Sequence, residues 1–396
     1  MIKNTRELKQ HNKYIILNEI IERQPVSRKE LGQVLDVSHA TVSYIIKELI
    51  SDGLVVETDF LESTGGRPPR LVEFRGDKKF VVAVEMSYTY ISYAIYDLNF
   101  KIRKEESWDI TNMEAIKIIE LLFDKIHCGF FQKGEINNID IIGIGISVPG
   151  IYNYEEDILT DSISEIWQNV NLKKEFDKHF KLPLYIENDA NLSTYYEWAY
   201  GVGVKYSNIL YIFIAEGIGS GMVINDQLYK GAHGAAGEIS HLKSSEKEYP
   251  CECGGSGCLE VTSSMSAIQR GVNKALEKVE DSKLKALGGD VVSIKDIIKA
   301  YRESDILCKT VIKQSIEYLI NTLTGLVNFL DPDLIIIGDI YNVYDDKVIK
   351  KMNEKLNCLS YNLNSDNPKV VRKTEEGFIQ LKATAKYVFD RWKHKI

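Results

Sequence analysis

Apolar side chains near the start of the chain recur with helical spacing. Leu8, Tyr14, Ile15, Leu17, Ile20 and Ile21 form an approximate stripe that predicts a helix from Thr5 to Arg23, ended by Pro25. Ser27, with Glu30 three residues on, predicts a capping box at the start of "SRKELGQVL". "DVS" is a turn, and Ser38 caps "SHATVSYIIKELISDG", which stops at Gly53 and buries Val42, Ile45, Ile46 and Leu49. Two strand-like runs, "LVVETDF" and "PRLVEFR", then flank "LESTGGRP". Further on, "KKFVVAVEMSYTYISYAIYDLNFKIRKEESWDI" predicts three strands turning near Ser87–Tyr90 and Leu98–Asn99. A helix at roughly Met113–Phe131 and the buried strand "IDIIGIGISVPG" follow. A second set begins with "SNILYIFIAEGIGSGMVINDQLYKG", two strands around a glycine turn. It continues through helices, including the apolar "VIKQSIEYLINTLTGLVNFL", to the strand "DLIIIGD".

Two short helices joined by a tight turn make a helix-turn-helix, and the hairpin behind them makes it a winged helix. Ser38, His39, Thr41, Ser43, Tyr44 and Lys47 lie at the groove-facing start or flank of the second helix and are the candidate DNA contacts. In "GGRPP", Arg67 sits between glycines that permit close approach and prolines that keep the chain extended. This suits a narrow A·T minor groove and is similar to the core of an AT-hook. A three-strand meander followed by helix and strand, occurring twice, predicts two similar α/β lobes. That is the duplicated ribonuclease-H-like plan of actin and sugar kinases. The expected organisation is a DNA-binding domain over 1–75 and a ligand-binding domain over 76–396. The first lobe spans about 76–190 plus the C-terminal helix, the second about 191–375.

Charge sharpens this division. The chain of 396 residues has a net charge of −8, yet residues 1–75 carry 11 basic and 11 acidic side chains, so the acidic excess lies entirely beyond them. A small DNA reader on an acidic body fits better than non-specific nucleic-acid binding by the whole molecule. No apolar run is long enough to span a bilayer, and the polar N-terminus lacks a signal-peptide core, so a cytoplasmic protein is expected. Of six cysteines, Cys128, Cys308 and Cys358 are isolated and read as small buried hydrophobes, whereas Cys251, Cys253 and Cys258 crowd the glycine-rich "CECGGSGCLE". A disulfide knot, a redox switch, a zinc finger and a structural metal clip are the candidates for that loop. "GIGIS" and "EGIGSG" lack the pattern and placement of a dinucleotide fingerprint, and their glycines read as tight turns near a ligand.

Four segments together resemble the ROK family of repressors and sugar kinases: "ISVPG" (Ile146–Gly150), "ENDAN" (Glu187–Asn191), "GAAGEISH" (Gly234–His241) and "CECGGSGCLE" (Cys251–Glu260). With the winged helix in front, the chain resembles the repressors of that family. Three thiolates and one imidazole satisfy tetrahedral zinc, and a closed Cys₃His set is typical of structural sites. His241, Cys251, Cys253 and Cys258 are the expected Zn²⁺ ligands. The resemblance further implies that Asn188, Asp189, Glu238, His241 and Glu260 bind sugar hydroxyls, His241 serving both metal and sugar.

Kinases of the family use the matching aspartate as general base, so Asp189 alone does not exclude catalysis. Their first phosphate turn, Asp-x-Gly-Gly-Thr, corresponds here to "EMSYT" (Glu85–Thr89), with Ser87 and Tyr88 replacing both glycines. Their second, Gly-Thr-Gly, is "AEG" (Ala215–Gly217), which places Glu216 where phosphates would sit, and the late Gly-Gly turn is Gly338–Asp339. The resemblance with these departures implies a sugar sensor without kinase activity: a repressor whose partners are operator DNA, a sugar (xylose first among candidates) and a second copy or more of the chain, as homodimer or homotetramer. The alternatives are an active sugar kinase carrying a DNA-binding domain, and a repressor controlled by a protein partner.

Overall fold

The computed structural model describes residues 4–60, 70–127, 140–161, 166–279, 281–287, 291–359, 368–375 and 379–396. They fall into two compact units. The first comprises Met1–Gly150, Glu155–Glu187 and Leu381–Ile396; the second Ile151–Tyr154 and Asn188–Gln380.

The first unit opens with α1 (Thr5–Arg23), capped by Asn4, and the short strand β1 (Val26–Ser27). Helix α2 (Arg28–Leu35) has the expected capping box: Ser27 N donates to Glu30 Oε2 at 2.8 Å and Glu30 N to Ser27 Oγ at 3.2 Å. Asp36 ends it in the left-handed region (φ 51°), and Val37 N donates to Gly32 O at 3.1 Å. A Cβ on Gly32 would itself stand 3.1 Å from Val37 O, so a bare residue suits this tight turn. Helix α3 (His39–Ser51) follows with Ser38 as cap, and β2 (Val55–Phe60) and β3 (Arg70–Phe74) form the wing sheet in the order β1–β3–β2. Val42, Ile45, Ile46 and Leu49 are buried as the periodicity predicts. On α1 the stripe differs: Ile16 is buried with Leu17 and Ile20, while Leu8 lies two turns before this packed segment and is exposed. Arg67 falls outside the described residues.

The unit continues with β4 (Phe80–Met86), β5 (Tyr90–Asp97), β6 (Ile102–Asp109), α4 (Ala115–Ile126) and β7 (Ile141–Val148). After the short strands β8 (Ile151–Asn153) and β9 (Ile158–Asp161) come α5 (Leu172–His179) and β10 (Leu184–Asn188). Of the helix expected at Met113–Phe131, the described part is α4. The sheet order is β10–β7–β4–β5–β6, with β4 antiparallel to β5 and parallel to β7.

The second unit contains α6 (Asp189–Tyr200), β11 (Ile209–Ile214), β12 (Ile218–Ile224), β13 (Gln227–Tyr229), α7 (Leu259–Ser263), α8 (Met265–Leu276), α9 (Ile294–Arg302), α10 (Ile306–Leu330), β14 (Leu334–Asp339), α11 (Asp346–Leu359) and β15 (Lys369–Arg372). Its sheet runs β13–β12–β11–β14–β15, an antiparallel trio extended by two parallel strands. Both sheets therefore carry one plan, third–second–first–fourth–fifth, which is the expected duplication.

The last helix, α12 (Gln380–Lys393), begins with the final residue of the second unit and continues in the first. A Cβ on Gly145 would stand 2.5 Å from Thr384 Cγ2 and 2.6 Å from Val388 Cγ2. The glycines of "GIGIS" thus lie inside β7 and make room for α12; the expectation of a tight turn near a ligand is corrected here. Leu381, Ala385, Val388 and Phe389 of α12 share one apolar core with Ile16, Leu17 and Ile20 of α1. Cys308 is buried as expected, but Cys358 is exposed near the end of α11, and Cys128 falls outside the described residues. Among the described residues no helix is long and apolar enough to cross a membrane.

Candidate functional site: a polar site gathered on one strand beside a Cys₃His cluster

Strand β12 organises the site, and its glycines explain how. Ile218 N donates to Glu260 Oε2 at 2.8 Å, and a Cβ on the preceding Gly217 would stand 2.9 Å from Glu260 Oε1. One residue further, a Cβ on Gly219 would lie 3.2 Å from Ala190 Cβ, so the start of α6 rests on bare backbone. Gly237 (φ 98°) packs against Ser220, whose hydroxyl donates to Gly237 O. A Cβ on Gly221 would collide with Thr194 Oγ1 at 2.3 Å. Four consecutive residues, Ile218 to Gly221, therefore receive the segments carrying Glu260, Asn188–Asp189 and Glu238. The sequence signal was the glycine at alternate positions: Gly217 closes the expected tight turn between β11 and β12, where Ala215 N donates to Gly217 O at 2.8 Å, whereas Gly219 and Gly221 lie inside β12 and serve close approach by protein segments.

Asn188 caps α6, its Oδ1 accepting from Asn191 N at 3.0 Å, and the neighbouring Asp189 is exposed, with Oδ1 accepting from Ala190 N at 2.7 Å. Glu238 is exposed at the start of a short 3₁₀ turn that ends at His241, also exposed. Glu260 is mostly buried. Burial pushes its carboxyl above the ordinary range, opposed by the Ile218 N–H and by nearby His241. The sequence-predicted polar residues are thus brought together within the second unit as carboxylates and amides on one scaffold.

His241 leads into the cysteine loop. The ligand atoms of His241, Cys251, Cys253 and Cys258 all lie within 4.8 Å of one another. Cys251 Sγ is 3.7 Å from His241 Nδ1, and Cys253 Sγ is 3.7 Å from Cys258 Sγ. These cysteines are free, which removes the disulfide knot. Gly254 (φ 85°) and Gly257 (φ 70°) take the left-handed backbone that returns the chain, and Cys251 N donates to Gly255 O at 3.0 Å. Burial, reinforced by hydrogen bonding to Cys253 and Cys251, pushes the Cys258 thiol up to about 12. The Gly255 backbone lowers that of exposed Cys253. Three sulfurs this close repel as thiolates, and a divalent cation relieves that repulsion. The donor set and spacing fit tetrahedral zinc, where sulfurs about 2.3 Å from the metal are about 3.8 Å apart.

At the winged helix, Ser38 Oγ accepts from Thr41 N at 3.2 Å and lies 2.8 Å from Thr41 Oγ1. His39, Lys47 and Tyr44 (54 % exposed) stand out from α3, with Thr41 and Ser43 half-buried between them. Lys9 of α1, which the sequence did not single out, donates to Tyr44 Oη at 3.1 Å and to Glu48 Oε1 at 2.6 Å.

Residues 81–377 match the ROK family and residues 10–60 the MarR family. The chain belongs to the ROK family. The ROK assignment agrees with a similarity of 31% over 386 residues to the xylose repressor of Caldicellulosiruptor bescii, covering 97% of this chain and 96% of that one. The xylose repressor of Bacillus subtilis is 28% identical over 354 residues, covering 89% and 88%. Among solved structures, a ROK family transcriptional regulator described as a homologue of the E. coli MLC protein superposes with a TM-score of 0.84 at 24% identity, covering 98% of this chain and 97% of that one. The ROK hexokinase of Thermus thermophilus gives 0.62 at 19%, covering 77% and 96%. The first of these extends the shared fold through the winged helix; the second shares the two-lobed part.

Proposed function

We propose that the protein is a transcriptional repressor whose operator affinity is set by a sugar, with D-xylose as effector. Similarity over nearly the full length to named xylose repressors, winged helix included, carries this reading. In it, residues 1–75 read operator DNA through Ser38, His39, Thr41, Ser43, Tyr44, Lys47 and Arg67. Asn188, Asp189, Glu238, His241 and Glu260 bind sugar hydroxyls within residues 76–396. A homodimer or homotetramer presents two or more winged helices to the operator. His241, Cys251, Cys253 and Cys258 hold Zn²⁺, which fixes the loop and orients the imidazole. Because Nδ1 faces the sulfurs, Nε2 is the His241 nitrogen left for the sugar.

We further infer that the protein does not phosphorylate its ligand. Glu85 is half-buried, accepting from Tyr90 Oη at 2.8 Å and Ser92 Oγ at 3.2 Å, and Ser87 O accepts from Trp167 Nε1 at 3.2 Å, so this turn is occupied by its own side-chain bonds. Fluorescence anisotropy of labelled operator, titrated with pentoses and hexoses, tests the main reading. D-Xylose should shift operator affinity roughly 5- to 150-fold. If calorimetry finds sugars that bind and none alters operator affinity, the reading is wrong. Transfer of phosphate from ATP to bound D-xylose would overturn the second inference.

A further inference from the structure

The first residue of α12 is bonded to the backbone of the candidate sugar aspartate. Gln380, 9% exposed, donates from Nε2 to Asp189 O at 2.8 Å. Its Oε1 lies 3.1 Å from Ser193 Oγ, and that hydroxyl is also 3.0 Å from Asp189 O. A buried amide with donor and acceptor both satisfied holds one geometry, because breaking either bond leaves an unpaired polar group. The peptide that carries Asp189 is thereby fixed to residue 380, which is 191 positions away in sequence.

From Leu381 onward the same helix belongs to the core of the winged-helix unit. Leu381, Ala385, Val388 and Phe389 pack with Ile16, Leu17 and Ile20. At its far end, Lys393 Nζ donates to Asn18 Oδ1 at 3.0 Å, and the ring of His394, just past the helix, stacks on Tyr14 with centroids 4.1 Å apart. Phe389 meets Phe74 of the wing strand, centroids 6.2 Å apart. Fourteen residues of α-helix form a strut of about 20 Å that changes shape far less readily than the loops around it.

We propose that Gln380 is a positioning residue that ties the Asp189 peptide to α12, and that α12 passes the state of the sugar site to α1 of the winged helix. This rests on the sugar reading of Asp189. A ligand that draws Asp189 inward displaces the Asp189 carbonyl. Gln380 follows it, and the helix cannot absorb the shift without moving its contacts with α1. Linkage is reciprocal, so operator DNA changes sugar affinity by the same factor.

The full-length variants Gln380→Met, which keeps side-chain length and loses both bonds, and Ser193→Ala, which removes the hydroxyl beside Gln380 Oε1 and Asp189 O but keeps the bond from Gln380 Nε2 to Asp189 O, test it. D-Xylose is expected to change operator affinity in the native protein by the factor above. In Gln380→Met that factor falls below about twofold while operator affinity without sugar is retained; Ser193→Ala keeps most of the coupling. A native coupling factor in Gln380→Met, or equal loss in Ser193→Ala, overturns the proposal. Hydrogen exchange without sugar gives an independent arm: Gln380→Met should raise exchange in the first turn of α6 and at residues 14–20 of α1. Unchanged exchange at α1 overturns the proposal. A native protein that binds no sugar overturns the sugar reading instead, and leaves the exchange result to decide the role of Gln380.

Discussion

Replacing Cys258 by serine isolates what the metal contributes. With Zn–S near 2.3 Å and Zn–N near 2.0 Å, tetrahedral geometry needs sulfur–sulfur separations of about 3.8 Å and sulfur–nitrogen separations of about 3.5 Å. The two pairs above, at 3.7 Å each, are within about 0.2 Å of these edges. Zinc held by this set would need little change at these two pairs, and the four ligand atoms all lie within 4.8 Å of one another. His241 and Cys258 enclose 16 residues, and cross-linking a loop of that size is worth about 3 kcal/mol from chain entropy alone. Apparent zinc affinities of about 10–16 kcal/mol in small peptide sites correspond to dissociation constants of about 50 nM or tighter. The protein purified under reducing conditions should hold about one zinc per chain by elemental analysis. Cys258→Ser should lose most of it, and thermal unfolding of the second unit should fall by about 6–12 °C. D-Xylose affinity should drop as well, because Glu260 is two residues from Cys258 and His241 belongs to the same cluster. Sugar-free operator affinity should stay native, since the winged-helix core contains none of these groups. Metal content near zero in the native protein, or native melting and sugar affinity in Cys258→Ser, would refute the reasoning.

Four further outcomes are expected. Asp189→Ala should weaken D-xylose binding in calorimetry by about 1.5–3 kcal/mol, roughly 10- to 150-fold, with operator affinity unchanged; native sugar affinity would remove Asp189 from the site. Arg67→Ala should weaken operator binding and reduce the slope of log K against log salt by about one, with sugar affinity intact. Gly145→Ala drives a methyl into Thr384 and Val388 and should destabilise by about 1–3 kcal/mol in denaturant unfolding. Burial raises the Glu85 carboxyl above its ordinary value, so the folded state holds that proton more tightly. The resulting stability is full below the ordinary carboxylate pKa and is lost as pH rises through the folded value. Glu85→Gln should therefore melt higher than the native protein at pH 8 and lose that advantage at pH 4; an equal difference at both would reject the assignment.

The winged helix was legible because its signals are local. Ser27 with Glu30, and Ser38 before Val42, Ile45, Ile46 and Leu49, announce caps and a buried face within a dozen residues, and the structure has both. The Cys₃His cluster was legible for a different reason: sulfur at that spacing has few other uses in a long chain whose described cysteines are all free. What escaped was long-range. Gly145 is bare for a helix more than 230 residues later, Gly143 first for Pro183 and Tyr185 and then for that helix, and Gly219 for the start of α6, so none could be told from a turn glycine by its neighbours. Gln380 gave no signal at all, since one glutamine at a helix start acquires meaning only beside Asp189.

Two carboxylates bear on the choice between sensing and phosphoryl transfer. Asp339, buried at the end of β14, accepts from Tyr341 N at 2.8 Å, Val343 N at 3.1 Å and Tyr344 N at 3.0 Å. Converging backbone donors of this kind make an anion-binding concavity, and here the chain's own carboxylate fills it. Glu216 lies close enough to Tyr341 to help raise its phenol pKa, burial being the larger cause. A phosphate about 5 Å from Glu216 would meet a repulsion of about 3 kcal/mol per unit charge at an effective dielectric of 20. An uncharged sugar meets none of this, and carboxylates serve it as hydrogen-bond acceptors. Removing the Glu216 charge alone should accordingly fail to produce turnover of D-xylose with ATP, because Asp339 still fills its turn and Ser87 and Tyr88 still occupy the first one. Detectable xylose phosphate from Glu216→Thr would overturn the proposal that three turns, and not a single charge, keep the protein from phosphorylating its ligand.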